Sequence, residues 1–321
     1  MNAPAAHAPP VDTSLRALLR LAGPIFVANV AIVGNGTVDT VMAGRLAAAD
    51  LAAVAIGLST YISVYMGLVG ILQALSPIAG HHYGARRFRQ VGFELQQALW
   101  LAAGLTLVGV PLIAATPLWL GLARAEGEVA QIAAGYLYAV AFGLPAALGV
   151  RVFMALNAAV SRPGVTMVVS VLALAAKVPL NALFMYGAGP VPALGGVGAG
   201  VSTAVIAWLS LAAYWTVWRL DPSYSPLRAR HLRRPDLSAQ RRLIRLGVPI
   251  GLATLFEVTS FTFMAIFIAR LGTDAVAGHQ IVANLTALAF MIPLSVGIAT
   301  SVLVAQALGA GHPRLARRAT L

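Results

Sequence analysis

Long apolar runs broken by short polar segments organise this chain from end to end. A helix crossing a hydrocarbon core of about 30 Å needs roughly 20 apolar residues. Eight stretches have that length: 17–42, 51–80, 93–118, 129–153, 165–186, 197–218, 243–269 and 276–308. The pattern therefore predicts an all-α polytopic membrane protein with eight transmembrane helices. Only one connection is long and hydrophilic, residues 221–242, where Pro222, Pro226 and Pro235 stand among arginines. It is expected to be a basic linker between a six-helix lobe (15–220) and two further helices (243–321). Residues 1–14, with Pro9 and Pro10 and neither lysine nor arginine, are expected to form a disordered tail and not a cleaved signal.

Composition agrees with lipid as the main solvent. Of 321 residues 59% are hydrophobic and 10% charged, with a mean hydropathy of +0.83, where soluble domains carry about a quarter charged residues. A soluble enzyme is excluded on that ground. The chain has no cysteine, which removes disulfides, thiolate-ligated metals and thiol nucleophiles.

A formal charge of +12 suggests nucleic acid until the basic residues are placed. Assigning the N-terminus and alternate connections to one side collects 18 of the 22 Lys and Arg residues, leaving Arg45, Arg124 and Arg270 opposite and Lys177 inside a span. That asymmetry predicts a cytoplasmic N-terminus and linker in the cell inner membrane, and it makes the basic excess a matter of topology, with no nucleic-acid partner.

Offsetting the chain by 225 residues aligns 18–25 (LLRLAGPI) with 243–250 (LIRLGVPI), Arg45–Leu46 with Arg270–Leu271, Ser76 with Ser301, and Gly84–Ala85 with Gly309–Ala310. Six spans separate the copies, so both enter from the same side. A parallel repeat about an axis along the membrane normal is the architecture of a transporter with a cleft between lobes. The expected fold is a complete six-helix lobe plus the first two helices of a second.

Charged groups inside the spans are the candidate chemistry, because a charge in hydrocarbon is costly unless paired or wetted. Glu257 lies about 14 residues into the seventh span, near the midplane, and Asp39 about 7–8 Å inside the outer edge of the first. Either is an ion-coupling candidate or a structural hydrogen-bonding acid. Lys177 needs a counter-charge or a wet pocket; Asp39 is the candidate partner in its lobe, against snorkelling or backbone contacts. Pro24, Pro77, Pro145, Pro179 and Pro293 interrupt helix hydrogen bonding and mark bends, Pro24 above all. Met42, Met66, Met154, Met264 and Met291, with Phe256, Phe261, Phe263 and Phe290, either line a plastic cavity or pack against helices and lipid. His81, His82, His279 and His312 have no metal-ligand spacing, and there is no phosphate-binding loop for ATP. The glycine run at 195–200 is expected to serve close helix packing or a tight turn. Clustered Ser, His and Asp for an intramembrane enzyme are lacking.

At 38–44 (VDTVMAG), 93–97 (FELQQ), 179–181 (PLN), 186–187 (YG), 192–198 (PALGGVG) with Thr203, and 249–251 (PIG) with Glu257, the chain resembles the multidrug and toxic compound extrusion (MATE) family, in its NorM-like branch. The resemblance implies two six-helix bundles exporting cationic amphipathic compounds out of the cytoplasm against Na⁺ or H⁺, with no resident cofactor. It assigns ion coupling to Asp39 and Glu257 and places Asn181 and Thr203 beside the N-lobe site, with Lys177 where relatives often carry asparagine. It further implies small organic cations and the bilayer as partners, and a monomer if complete. Against it, the chain is expected to be truncated after the eighth helix, so a non-transporting fragment or assembly module stands as the alternative, with a lipid-linked oligosaccharide flippase as another.

Overall fold

The computed structural model describes residues 14–188, 190–228, 233–269 and 273–319, with only part of the side chains between 258 and 288. The expected tail over 1–13 and the side chains of Phe261, Phe263 and His279 lie outside the described residues. The helices are α1 (Leu15–Gly44), α2 (Ala48–Gln73), α3 (Leu75–Gly84), α4 (Phe88–Ala114), α5 (Thr116–Ala123) and α6 (Gly127–Ala159). They continue with α7 (Pro163–Asn181), α8 (Gly196–Leu220), α9 (Leu237–Ala269), α10 (Thr273–Gly309) and α11 (Pro313–Arg318). Among the described residues the remaining regular structure is a π-turn over Ala182–Tyr186, a 3₁₀ turn over Pro222–Leu227 and one isolated bridge between Ala188 and Val191.

The protein is a polytopic helical membrane protein. Seven segments among the described residues are long and apolar enough to cross a bilayer: α1, α2 with α3, α4, α6, α7 with its π-turn, α8, and the Ala289–Gly309 part of α10. The segment expected as the seventh span, 243–269, is helical within α9, whose first turns carry Arg241, Arg242 and Arg245.

Local chemistry sets the ends. Pro77 has no N–H to give the carbonyl of Gln73 four residues back, and α2 stops at that carbonyl, leaving α3 as a short continuation. Asp236 caps α9, accepting from the N–H groups of Ser238 (2.8 Å) and Ala239 (3.1 Å). Helix α9 thus starts inside the stretch expected to be linker, a correction that the cap explains. Those bonds, with the Ser238 hydroxyl first, hold the Asp236 carboxyl below the ordinary carboxylate range. Pro24 lies inside α1 and Pro249 inside α9.

Among the described residues of that stretch, several are fastened to the bundle. Tyr224 is buried and donates to Asn157 (2.6 Å), and Asp221 pairs with Arg162 at 2.6 Å. Partial burial pushes the Asp221 carboxyl up, but the Ser223 N–H and the Arg162 guanidinium outweigh it and leave it below its usual value. Gln97 on α4 donates to the Arg234 carbonyl (3.1 Å) and accepts from the Asp236 N–H (2.9 Å).

Helix α6 is the most buried span, with α2, α4 and α8 packed around it. The last two long helices pack on the first three: α9 along α2, and α10 along α1 and α3. At the second seam, a Cβ on Gly84 would sit 2.0 Å from the Gln306 carbonyl oxygen and one on Gly309 would sit 1.9 Å from that of His81. The two contacts are images under the 225-residue offset, since 84 becomes 309 and 81 becomes 306. The backbones of α3 and α10 touch through two glycines where no side chain fits.

Gly84→Ala is therefore expected to destabilise the protein by about 1–3 kcal/mol, the usual cost of overpacking. Gly104→Ala, on α4 where a Cβ meets nothing within 4 Å, is expected to be neutral or stabilising by up to about 1 kcal/mol. Thermal unfolding in detergent checks both; equal melting temperatures for the two variants would contradict the seam.

Candidate functional site

Three helices bring one charged cluster together. Helix α1 contributes Asp39, one turn and a residue before its end. Helix α7 contributes Lys177 and Asn181, which at a spacing of four share a face. Helix α8 contributes Ala199, Ser202 and Thr203, spaced so that they too face one way. What lets α8 come close enough is the glycine run at its start: a Cβ on Gly198 would stand 2.4 Å from the Phe184 carbonyl oxygen, and one on Gly200 2.9 Å from that of Tyr136. Asp50 accepts from the Gly196 N–H at 2.6 Å, closing the turn into α8. The glycines serve packing.

Within the cluster, Lys177 Nζ lies 2.8 Å from Asp39 Oδ1, with the two side chains 1% and 3% exposed. The ammonium also donates to Thr203 Oγ1 (2.6 Å) and Ser202 Oγ (3.1 Å), so its three protons are used. Asn181 Nδ2 donates to the same Asp39 Oδ1 at 2.8 Å, and Ser202 donates to Asn181 Oδ1 in a very short contact. The other carboxylate oxygen is held more weakly. Among the described residues Oδ2 has Thr203 Oγ1 as its one hydrogen-bond partner, at 3.3 Å, and that hydroxyl has the Ala199 carbonyl at 2.8 Å as a competing acceptor for its single proton. One oxygen of Asp39 is thus saturated and one is not.

The pair opens on a cavity of about 1070 Å³, lined by α1, α2, α6, α7 and α8. Asp39, Lys177 and Thr203 stand on its wall, with Met66, Met154 and four tyrosines elsewhere around it. Arg151 is also on that wall. Positive-inside counting assigns it to the arginines of the expected cytoplasmic side, yet α6 runs to Ala159, which puts Arg151 eight residues, about 12 Å, inside the helix. It donates from Nε to Tyr65 Oη at 2.9 Å. Lys177 is therefore not the only base inside a span. The signal was present in the sequence, because the apolar run resumes after Arg151 and continues to Ala159.

The structure joins Asp39, Lys177, Asn181 and Thr203 and leaves Glu257 apart: it is exposed on α9, off that cavity wall. Of the methionines and phenylalanines considered for the cavity, Met66 and Met154 line it, while Phe256, Phe290 and Met264 are exposed. No group of three or more metal-binding side chains occurs among the described residues. Sequence reasoning met Glu94 only as part of the 93–97 motif and gave it no role. Its side chain on α4 is buried, pairs with Arg242 of α9, and has His82 Nε2 at 3.7 Å. This ties α4 to the start of α9.

A family model described as MatE matches residues 24–183 and 249–321. Among curated proteins, a probable multidrug resistance protein NorM from Aromatoleum aromaticum is 44% identical over 300 residues, covering 92% of this chain and 64% of the relative. A multidrug resistance protein NorM from Vibrio vulnificus is 38% identical, covering 91% and 64%. The chain thus spans about 64% of the length of these relatives. Among solved structures, the MATE transporter NorM-NG, in a complex that includes a monobody, superposes with a TM-score of 0.75 at 34% identity, covering 92% of this chain and 65% of that one. The eukaryotic MATE transporter AtDTX14 superposes at 0.83 with 23% identity, covering 96% and 69%, a likeness of fold.

Lys177→Met leaves a buried carboxylate without its counter-charge and is expected to cost about 3–5 kcal/mol. Adding Asp39→Asn should restore most of that stability. Melting temperatures of the two single variants, the double variant and the parent form a cycle; additive losses would show that the two groups are not coupled.

Proposed function

Because the chain belongs to the MatE family, we propose that it carries the ion-coupling and cargo-binding half of a secondary transporter that exports amphipathic organic compounds, organic cations among them, across the inner membrane. The observation that supports this reading is a buried carboxylate, Asp39, balanced by one ammonium and opening on a cavity large enough for a drug-sized molecule. The basic ends of the helices, gathered on one side, support a cytoplasmic N-terminus.

The coupling ion in this reading is the proton. A sodium ion needs several oxygen ligands at close range, and Lys177 Nζ already occupies the side of Oδ1 where such an ion would sit. A proton needs only one lone pair, and Oδ2 has one. Protonation there turns Asp39 into a donor toward Thr203 Oγ1, whose own proton then goes to the Ala199 carbonyl. Neutral Asp39 no longer holds Lys177 electrostatically, so the ammonium is free to turn toward the cavity. Ion uptake and cargo binding are coupled because they change the same pair. An elementary charge crossing 100 mV supplies about 2.3 kcal/mol, enough for a concentration ratio of nearly fiftyfold. Glu257 is a second candidate for coupling, through the repeat to which α9 belongs.

In membrane vesicles carrying this chain, ethidium transport is expected to follow an imposed pH gradient, to be indifferent to a sodium gradient at equal pH, and to be abolished by Asp39→Asn with folding retained. Transport unchanged in that variant would remove Asp39 from coupling, and transport driven by sodium alone would overturn the proton assignment.

A further inference from the structure

Three arginines line an open groove at the basic end of the bundle, and two of them are unspent. The groove, of about 1040 Å³, lies between Ile78 of α3 and the start of α9, where Leu237, Ser238, Arg241, Arg242, Arg245 and Leu246 form its wall. Those six positions follow the spacing of one helix face over nine residues, about 13 Å. Arg242 is held by the buried Glu94 carboxylate. Arg241 and Arg245 are exposed, stand one turn apart, and have no ion pair among the described residues. Asp236, the acid nearest in sequence, is turned to the N–H groups of Ser238 and Ala239. Two unbalanced guanidinium charges therefore stand over an apolar floor.

The internal repeat supplies the comparison. An offset of 225 makes Arg16, Arg20, Leu21 and Leu303 the images of Arg241, Arg245, Leu246 and Ile78. At the first copy Leu21 packs with Leu303 in one apolar cluster and is 6% exposed. At the second, Leu246 is 42% exposed, and it and Ile78 both face the open groove. Equivalent side chains close one seam and leave its counterpart open under the same pair of arginines. The groove stands where the apolar run 243–269 begins, at headgroup depth, so an acyl chain can cover its floor and remove apolar surface from water. Guanidinium forks match the oxygens of a phosphodiester. A lipid with net negative charge gains more from them than a zwitterionic one, which brings its own ammonium. Free phosphate would satisfy the arginines but leave Ile78, Leu237 and Leu246 bare.

We propose that this groove binds an anionic glycerophospholipid of the leaflet at the basic end, with its phosphodiester between Arg241 and Arg245 and its acyl chains laid over Leu246 and Ile78. The site lies apart from the Asp39 cavity and does not depend on the transport reading. A lipid seated there braces α9 against α3 at the end that Arg242 and Glu94 already fasten.

Native mass spectrometry of the full chain in a neutral detergent resolves lipids bound one at a time. Titrated with phosphatidylglycerol and with phosphatidylcholine of the same acyl chains, the unaltered protein is expected to take up its first phosphatidylglycerol roughly tenfold more tightly. Combining Arg241→Gln with Arg245→Gln should weaken that step roughly ten- to thirtyfold, the worth of two basic residues at an anionic surface. The melting temperature of the lipid-free protein should not fall, since neither exposed side chain has an ion pair to lose. Arg16→Gln with Arg20→Gln removes the same charge at the closed seam and should change the first step by less than about twofold. The compound sn-glycerol 3-phosphate, which carries the phosphate without chains, should not compete. Equal binding of the two lipids, equal losses in the two double variants, or displacement by sn-glycerol 3-phosphate would overturn the lipid site, the last by making it a site for free phosphate. Should the α9 variant fail to fold, lipid preference and competition on the unaltered chain decide.

Discussion

The pairing of Asp39 with Lys177 is the constraint around which the first part of this molecule is arranged. Two opposite charges in a helix bundle are tolerated only when every lone pair and proton nearby is directed at them. Three helices have to meet at one depth and in one rotation for that to happen: α1 for the acid, α7 for the base and the amide, α8 for the hydroxyls. The glycines opening α8 follow from the same need, since a side chain at Gly198 would hold the hydroxyls of Ser202 and Thr203 away. The network is also uneven. Oδ1 is doubly bonded by donors and Oδ2 is not, and that inequality turns a structural pair into one that can accept a proton.

A second constraint acts at the basic end. Helices α3 and α10 approach through Gly84 and Gly309, each against the backbone of the other, and Gln306 reaches the Ala159 carbonyl at 2.7 Å. Close backbone contact between helices in lipid is driven by van der Waals packing, since tails surround the helices with an equally apolar medium. Glu94 with Arg242, Asp221 with Arg162, and the bonds from Gln97 to the 233–236 segment surround that seam with polar fastenings. Rigidity at this end and an open cavity farther in are compatible with motion of the helices about the seam.

Arg151 joins the two themes. It lies two turns inside α6 and lines the large cavity with Asp39 and Lys177. Tyr65 orients it without neutralising it.

Hydropathy alone placed the seven spans found among the described residues, because apolar runs in lipid need no partner to be recognised, and the recurrence of polar residues and prolines at an offset of 225 pointed to α9 and α10 as counterparts of α1 and of α2 with α3. Asp39, Lys177, Asn181 and Thr203 were legible as rare polar groups in hydrocarbon. Their joining was not, since it depends on how three helices turn about their axes, which the sequence of each leaves open. Glu94 and Arg151 show the other limit. Both stand within three turns of a predicted boundary, where a sequence cannot distinguish a charge in water from a charge drawn inside, and only the packing of α4 on α9 and the extension of α6 to Ala159 decided that they are inside. Glu257 went the opposite way: its depth was legible, but its exposed position on α9, off the Asp39 wall, followed from helix rotation. Composition fixes which residues must avoid or find lipid; the rotation and depth of each helix fix which charges meet.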